Sequence, residues 1–258
     1  MAFRPDVINY EFPITERVRT LLRLEDLYDR TTLFVSREHG LDHHAALAGI
    51  FEIMEVASRA DLKSDLLQEL ERQRQALSAL RNNPHISEAA LERVLGDIEE
   101  THARLLKMTG KFGQYLRDNE WLMAVKQRMG IPGGACEFDL PGYHYWRQQS
   151  AERRRADLDR WFGPLLPIKQ GLDIVLRLLR DSSKVSHYTA RNGHFQQMSG
   201  GKSIQLLRVS LPPDLPAIPE LSANRYAINI RFVLPSTSGE RAKVVESDID
   251  FALGYCNL

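Results

Sequence analysis

Three side chains in one short stretch of this chain are those of a thiol catalytic site. Cys136, Asp139 and His144 lie within IPGGACEFDLPGYHYW, residues 131–146. A thiol enzyme needs a thiolate beside an imidazole, usually where a helix begins. Cys136 and His144 are close neighbours in the chain, whereas the histidine of thiol hydrolases comes from elsewhere in the sequence. We keep a cysteine-dependent hydrolase using these two residues as an alternative, and we expect no catalytic residue and no enzyme.

The same stretch also suits a structural role. Ala135, Glu137 and Phe138 flank Cys136 in a strand-like, largely apolar setting, in which cysteine packs as a small hydrophobic side chain. Pro141 and Gly142 favour a tight turn, and we expect this turn to anchor three aromatic side chains in a core. These aromatic residues are Phe138, Tyr143 and Trp146.

Three histidines lie close together in REHGLDHHAAL, residues 37–47. A helical pair with H-x-x-x-H spacing, such as His39 and His43, can ligate zinc from one face. No second ligand pair accompanies them. We expect Gly40 in a loop, Asp42 as the helix cap and an exposed helix start, and therefore no bound metal.

A run of arginines, AERRRADLDR at residues 151–160, could form an anion-binding patch. Acidic residues interleave with these arginines, which favours a solvated helix face instead. Lys plus Arg and Asp plus Glu both number 34, so the formal net charge is zero. Because aromatic residues do not interleave with the basic ones either, the sequence predicts no nucleic-acid partner.

Signals for cofactors, membranes and export are absent from the sequence. It contains no GxGxxG, GxxxxGK[ST], CxxC, HExxH or GxSxG motif, so we expect no cofactor. No stretch reaches the ~18 apolar residues of a membrane span. The first residues, MAFRPDVINYEF, have no apolar signal-peptide segment. We expect a cytoplasmic protein without membrane contact.

The spacing of the apolar residues is helical up to about residue 182. Thr15 and Ser87 are typical N-cap residues, and each precedes a helical pattern. A break at Asn82, Asn83 and Pro84 separates two long helices, and we expect these helices to pair as an antiparallel hairpin. We predict an α-helical domain over residues 14–182.

After Ser183 the apolar residues alternate, which predicts strands in SIQLLRVSL, RYAINIRFV and SDIDFALGYC. ARNG at residues 190–193 predicts a hairpin turn between SHYT and HFQQM. VINYEF, within residues 6–12, also predicts a strand, and a lone strand needs a sheet to join. We therefore predict an α+β fold, a helical body followed by an antiparallel β domain over residues 183–258 that the N-terminal strand joins.

The strand RYAINIRFV has one strongly apolar face. Arg225 and Arg231 lie on its other face, where two guanidinium groups could bind a carboxylate-bearing peptide. An ordinary solvent-facing surface explains the pattern equally well. Both interpretations stay open on the pattern alone.

Several segments of the chain resemble the ZapD family of FtsZ-associated bacterial cell-division proteins. IPGGACEFDLPGYHYW is similar to the family's most recognisable segment, IPGG-x-C-x-FDLP-x-x-H-x-W. FGQYLRDNEWLMAVKQR, RTLLRLEDL, DLLQELERQ, RYAINIRF and DFALGYC also fit, in collinear order over nearly the full length.

The resemblance implies a cytoplasmic homodimer that is not an enzyme and is recruited to the division site at midcell. Family members bind the conserved C-terminal peptide of FtsZ, cross-link and bundle its filaments, and promote assembly of the Z-ring. The tail mixes acidic and apolar residues, so we expect a basic groove for it where the helical and β parts meet.

The resemblance also implies a set of peptide-binding residues. Arg231 matches a strand arginine of the family with a departure, because Asn229 and Ile230 intervene before it. The shift of two residues keeps the strand face but moves the guanidinium about 6.6 Å along the strand. The full set is Arg59, Lys63, Arg117, His144, Arg225 and Arg231.

Overall fold

The computed structural model describes residues 6–58, 61–81, 83–198, 203–224, 226–236, 239 and 242–258. Its nine α-helices within these ranges are α1 (Glu16–Ser36), α2 (Gly40–Ser58), α3 (Leu62–Ser78), α4 (Glu88–Lys107), α5 (Gln114–Arg117), α6 (Glu120–Met129), α7 (Pro141–Arg147), α8 (Ala151–Phe162) and α9 (Leu166–Asp181). The described strands are β1 (Ile8–Pro13), β2 (Lys184–Ala190), β3 (His194–Met198), β4 (Leu206–Leu211), β5 (Ile218–Ala223), β6 (Ala227–Val233) and β7 (Ile249–Cys256). The fold is α+β, which confirms the predicted class.

The chain forms two compact units. One consists of Met1–Arg19 together with Arg177–Leu258, and the other of Thr20–Leu176. We call them the β unit and the helical unit. No helix among the described residues is both long and apolar enough to cross a membrane.

Local capping sets where several helices begin. Thr15 Oγ1 accepts the backbone N–H of Val18 at the start of α1, over 3.3 Å. Ser87 Oγ accepts the N–H of Ala90 at the start of α4, over 3.4 Å. Both caps follow the prediction, and α3 and α4 pack against each other as the predicted helical hairpin.

The start of α2 differs from the prediction. The helix already begins at Gly40, so Gly40 is not in a loop and Asp42 lies within the first turn rather than at the cap. His39 occupies the cap position instead, because its Nδ1 accepts the N–H of Leu41 over 3.2 Å. His43 is fully buried, whereas His39 and Leu41 are exposed, so the expected exposed helix start holds only in part.

Arg154 on α8 was wrongly predicted to lie on a solvated face. Its side chain is buried, and its Nε donates to His43 Nδ1 over 2.9 Å. Its other nitrogens donate to backbone carbonyls, including those of Glu38 (2.5 Å) and Arg147 (2.9 Å). The neighbouring Arg155 donates to the carbonyls of residues 35–37, where α1 ends. The last carbonyls of a helix have no partner within it, and these arginines donate to such acceptors.

The β unit contains two antiparallel sheets, with strand orders β1-β4-β7-β2 and β3-β6-β5. β1 pairs with β4 from Ile8 opposite Leu211 to Pro13 opposite Leu206, which confirms that the N-terminal strand joins the C-terminal strands. Buried side chains from both sheets, among them Val209, Phe232 and Phe251, form one core. β5 lies in the proline-rich segment after β4 and was not predicted.

Glu11 of β1 carries an ion-pair cluster within this unit. Arg180 donates to both carboxylate oxygens of Glu11 at 2.8 Å, and Arg208 Nε lies 3.3 Å from the same group. Glu11 is about one-fifth exposed, which shields these pairs from solvent more than pairs on an open surface. The cluster thus ties the N-terminal strand to the end of α9 and to β4.

The turn between β2 and β3 was predicted correctly, but its strands do not form a hairpin. Asn192 and Gly193 have φ angles of +47° and +70°, as a type I′ turn requires. β2 pairs with β7 and β3 pairs with β6, so the turn carries the chain from one sheet to the other. Two N–H groups of the turn donate to residues outside it: that of Asn192 donates to Asp248 Oδ1, and that of Gly193 donates to the Ser247 carbonyl. A local sequence pattern does not reveal these partners because they lie far along the chain.

The buried His43 makes folding stability depend on pH. Burial lowers its pKa, and the neighbouring Arg154 lowers it further, against the opposing hydrogen bond from Nε2 to the Arg37 carbonyl. A histidine with a depressed folded-state pKa contributes stability above its unfolded value of ~6.5, and this contribution is lost as the pH falls through the folded-state value. We expect the free energy of unfolding in urea to decrease from pH 7.5 to pH 5.5.

In His43→Gln this decrease should be smaller, because glutamine does not titrate and can still accept and donate a hydrogen bond. Some pH dependence should remain, since burial also lowers the pKa of His44. The exposed His85→Gln is the control and should match the unchanged protein. An equal loss of stability on acidification in His43→Gln and in the unchanged protein would contradict the assignment.

Candidate functional site

A cavity of about 780 Å³ lies in the helical unit. The end of α2, the start of α3, the segment 108–113 and α5 surround it. Two residues of the predicted set, Lys63 and Arg117, line this cavity together with Lys111. Asp61 is the one acidic residue among its described lining, so positive charge predominates around the cavity.

Lys63 and Arg117 both hold the segment 108–113. Lys63 Nζ donates to the carbonyl of Met108, the C-cap of α4, over 2.6 Å. Arg117 Nη1 donates to the Phe112 carbonyl over 2.6 Å, and its Nη2 lies 3.5 Å from the Met54 carbonyl. The two cations therefore fix one wall of the cavity by bonding backbone carbonyls.

Glycine allows the segment 108–113 to pass close to α2. Gly113 has a φ of +66°, and an added Cβ would lie 3.0 Å from Met54 Cγ. A side chain at this position would be strained and crowded at once. The backbone can therefore approach Met54 closely enough for Arg117 to reach carbonyls on both sides.

Tyr115 of α5 supplies a further polar group to the lining. Its hydroxyl donates to the Trp161 carbonyl over 2.5 Å, and burial raises its pKa well above the usual range. Sequence reasoning missed both Tyr115 and Lys111, although paired glycines in TGKFGQY mark the turn that brings them to the cavity.

Arg231 lies in the β unit, on the polar face of β6. Its Nε donates to Glu220 Oε2 over 2.9 Å, and its Nη2 contacts the same oxygen. In the sheet register, His194, Arg231 and Glu220 form one rung, and Gln196, Asn229 and Ser222 form the next. These rungs line a shallow depression of about 490 Å³. On this face Arg231 is thus already paired with Glu220.

His144 lies on α7 and does not line the cavity of the helical unit. Its Nδ1 is 3.6 Å from Glu137 Oε2, and its side chain is about one-third exposed. Across the described residues, no hydrogen bond or ion pair joins His144 to Cys136. Cys136 is exposed, which contradicts its predicted packing as a small hydrophobic residue.

The aromatic residues of the same stretch divide into two groups. Tyr143 and Trp146 are buried as predicted, whereas Phe138 is 81 % exposed, so its predicted role as an anchor was wrong. Residues 131–140 form turns, and the core residues start only within α7. The Tyr143 hydroxyl and His44 Nδ1 form a hydrogen bond of 2.6 Å, and Trp146 Nε1 donates to Asp157 Oδ2 over 3.0 Å. The buried aromatic anchors of the stretch therefore lie in α7, and Asp139 adds an ion pair with Arg128 of α6 over 3.5 Å.

Two residues of the predicted peptide-binding set, Arg59 and Arg225, lie outside the described residues. Of the other four, the structure brings Lys63 and Arg117 together at one cavity. Arg231 belongs to the other unit. Among the described residues, no group of three or more His, Cys, Asp or Glu side chains is arranged to hold a metal ion.

Comparison with known proteins gives a consistent result. The sequence model of the family described as ZapD, a cell division protein, matches residues 22–231. The chain is 59 % identical to the cell division protein ZapD of Chromobacterium violaceum, over 97 % of this chain and 99 % of that protein. It is 55 % identical to the ZapD of Dechloromonas aromatica, over 98 % of this chain and all of that protein. It is 52 % identical to the ZapD of Nitrosomonas europaea, over 98 % and 96 % of the two chains. Because the family model covers most of the chain and the relatives match it nearly end to end, the protein belongs to the ZapD family of cell-division proteins.

Proposed function

We propose that this protein binds the C-terminal tail of FtsZ and, as a homodimer, cross-links FtsZ filaments to promote Z-ring assembly at midcell. The family membership supports a role in cell division. The observation that carries the proposal further is the cavity whose described lining contains Lys63, Lys111 and Arg117 but only one acidic residue, Asp61. A cavity with this balance of charge favours an acidic peptide.

Lys63 and Arg117 can bind a peptide while they hold the segment 108–113. An ammonium group has three N–H donors and a guanidinium has five. The contacts to carbonyls use one donor of Lys63 and two of Arg117. The remaining donors can bond the carboxylates of a tail peptide without loss of the internal contacts.

The other residues of the set are proposed to extend the contact with the tail. Arg231 offers its guanidinium on the polar face of β6, where a tail carboxylate would compete with Glu220. Arg59, His144 and Arg225 complete the set on the strength of the family resemblance. Exposed charged contacts of this kind orient a ligand and accelerate its association more than they add affinity.

Dimerisation would convert a weak site into a strong cross-link. An FtsZ filament presents one tail per subunit, so two sites on one dimer can engage tails of two filaments at high effective concentration. Binding would then depend on avidity. A protein with a single functional site should bind tails without bundling filaments.

Co-sedimentation with FtsZ tests the proposal directly. We expect the purified protein to increase the FtsZ pellet at low-speed centrifugation and to leave tail-deleted FtsZ in the supernatant. Bundling of tail-deleted FtsZ to the same extent, or no bundling of either form, would overturn the proposal.

Lys63→Gln tests the cavity itself. Loss of one charge-assisted contact should weaken binding of a labelled FtsZ tail peptide up to about fivefold, or ~1 kcal/mol, in fluorescence anisotropy at low salt. Lys184→Gln is the matched control, because Lys184 is an exposed lysine on β2 of the β unit. Equal affinities of the two variants would remove Lys63 from the site.

Cys136→Ser separates the proposed function from the thiol-hydrolase alternative. The exposed thiol makes no described contact with His144, so we expect unchanged bundling of FtsZ by Cys136→Ser and by protein treated with iodoacetamide. Hydrolytic turnover that both treatments abolish would instead support the alternative.

A further inference from the structure

The cavity of the helical unit has an apolar floor beneath its charged rim. Ala57, Leu62 and Leu165 line it and are each at most 5 % exposed. Met108, Phe112 and Pro164 complete the apolar part of the lining. The volume of about 780 Å³ lies within the range of sites that enclose small ligands, and it exceeds the needs of a carboxylate alone.

The side chains of Lys63 and Arg117 donate hydrogen bonds within the protein, whereas that of Lys111 donates none to the described residues. Lys63 and Arg117 each donate to a backbone carbonyl over 2.6 Å and so fix the wall of the cavity. Lys111 is exposed and makes no side-chain hydrogen bond or ion pair within the part of the chain that the structure describes. It lies between Gly110 and Gly113, whose positive φ angles of +75° and +66° turn the chain on either side of it.

We propose that this cavity binds an apolar side chain of the acidic tail peptide, and that Lys111 pairs with a carboxylate beside that side chain. Lys63 and Arg117 are then chiefly positioning residues, which hold the segment 108–113 and with it Lys111. The inference rests on the proposed function and adds the apolar anchor and Lys111 to it.

The environments of the apolar contact and of the Lys111 ion pair determine how much each contributes to affinity. Burial of a leucine- or phenylalanine-sized side chain improves affinity roughly ten- to hundredfold. An exposed ion pair contributes up to about fivefold, and salt weakens it. Affinity should therefore depend mainly on the apolar side chain, while the charges restrict binding to acidic peptides.

The test measures binding of a synthetic FtsZ tail peptide by anisotropy. In one peptide series each apolar residue is replaced by alanine, and in a second each acidic residue is replaced by its amide. We expect one apolar→Ala peptide to bind at least tenfold more weakly at both 50 mM and 300 mM salt. The amide substitutions should cost up to fivefold, and less at the higher salt concentration.

Two protein variants locate the anchor. Thr109 is exposed and lines the cavity, so Thr109→Trp should fill it and weaken tail binding at least tenfold. The parent peptide and the critical apolar→Ala peptide should then bind this variant equally. Lys111→Ala should cost up to fivefold. Ala103→Trp adds the same ring on an exposed position of α4 outside the cavity lining and should bind as the unchanged protein does.

The outcomes distinguish this inference from the proposed function. If the tail binds but Thr109→Trp and all apolar→Ala peptides bind like their parents, the apolar anchor is wrong and tail recognition stands. If the unchanged protein does not bind the tail at all, the proposed function fails first. Circular dichroism checks the fold of each variant, and the peptide series decides the question even if Thr109→Trp fails to fold.

Discussion

The helical unit depends on cationic side chains that satisfy backbone carbonyls where helices end. Arg155 donates to the carbonyls at the end of α1, and Arg154 donates to those of Glu38 and Arg147. Lys63 does the same for the C-cap of α4. Each helix end leaves carbonyls without intrahelical partners, and such groups are costly to bury unpaired. A unit built of several helices has several such ends, and part of its positive charge pairs with them.

Features that depend on residues close together in the chain could be predicted from the sequence, whereas features that depend on distant partners could not. The α+β class follows from the change of apolar period near Ser183, because burial on one face imposes periods of 3.6 and 2 residues directly. Thr15 and Ser87 were recognisable as caps because their partners are three residues away. Two partners of Arg154, His43 and Glu38, are more than 100 residues away and could not be recognised locally. Its acidic neighbours in the sequence suggested a solvated helix face.

In the candidate site, too, contacts between residues distant in the chain could not be predicted from the sequence. Resemblance to a family identified Lys63 and Arg117, yet it did not reveal that both are bonded to carbonyls of one short segment. Lys111 and Tyr115 gave no signal beyond the glycines of TGKFGQY, because a cavity forms from segments distant in sequence. Phe138 failed as a predicted anchor because hydrophobicity alone does not show that residues 131–140 turn at the surface.

The pairing of β1 with β4 has a consequence for synthesis on the ribosome. β1 emerges first, but its partner at Leu206–Leu211 emerges only after the whole helical unit has been made. The helical unit can fold as it emerges, since its contacts are complete before β4 exists. Throughout that interval β1 has no strand to pair with, and its backbone groups are open to other chains. The order of translation thus leaves β1 waiting for β4 until the whole helical unit has been made, a vulnerable period in which a chaperone at the ribosomal exit would protect it.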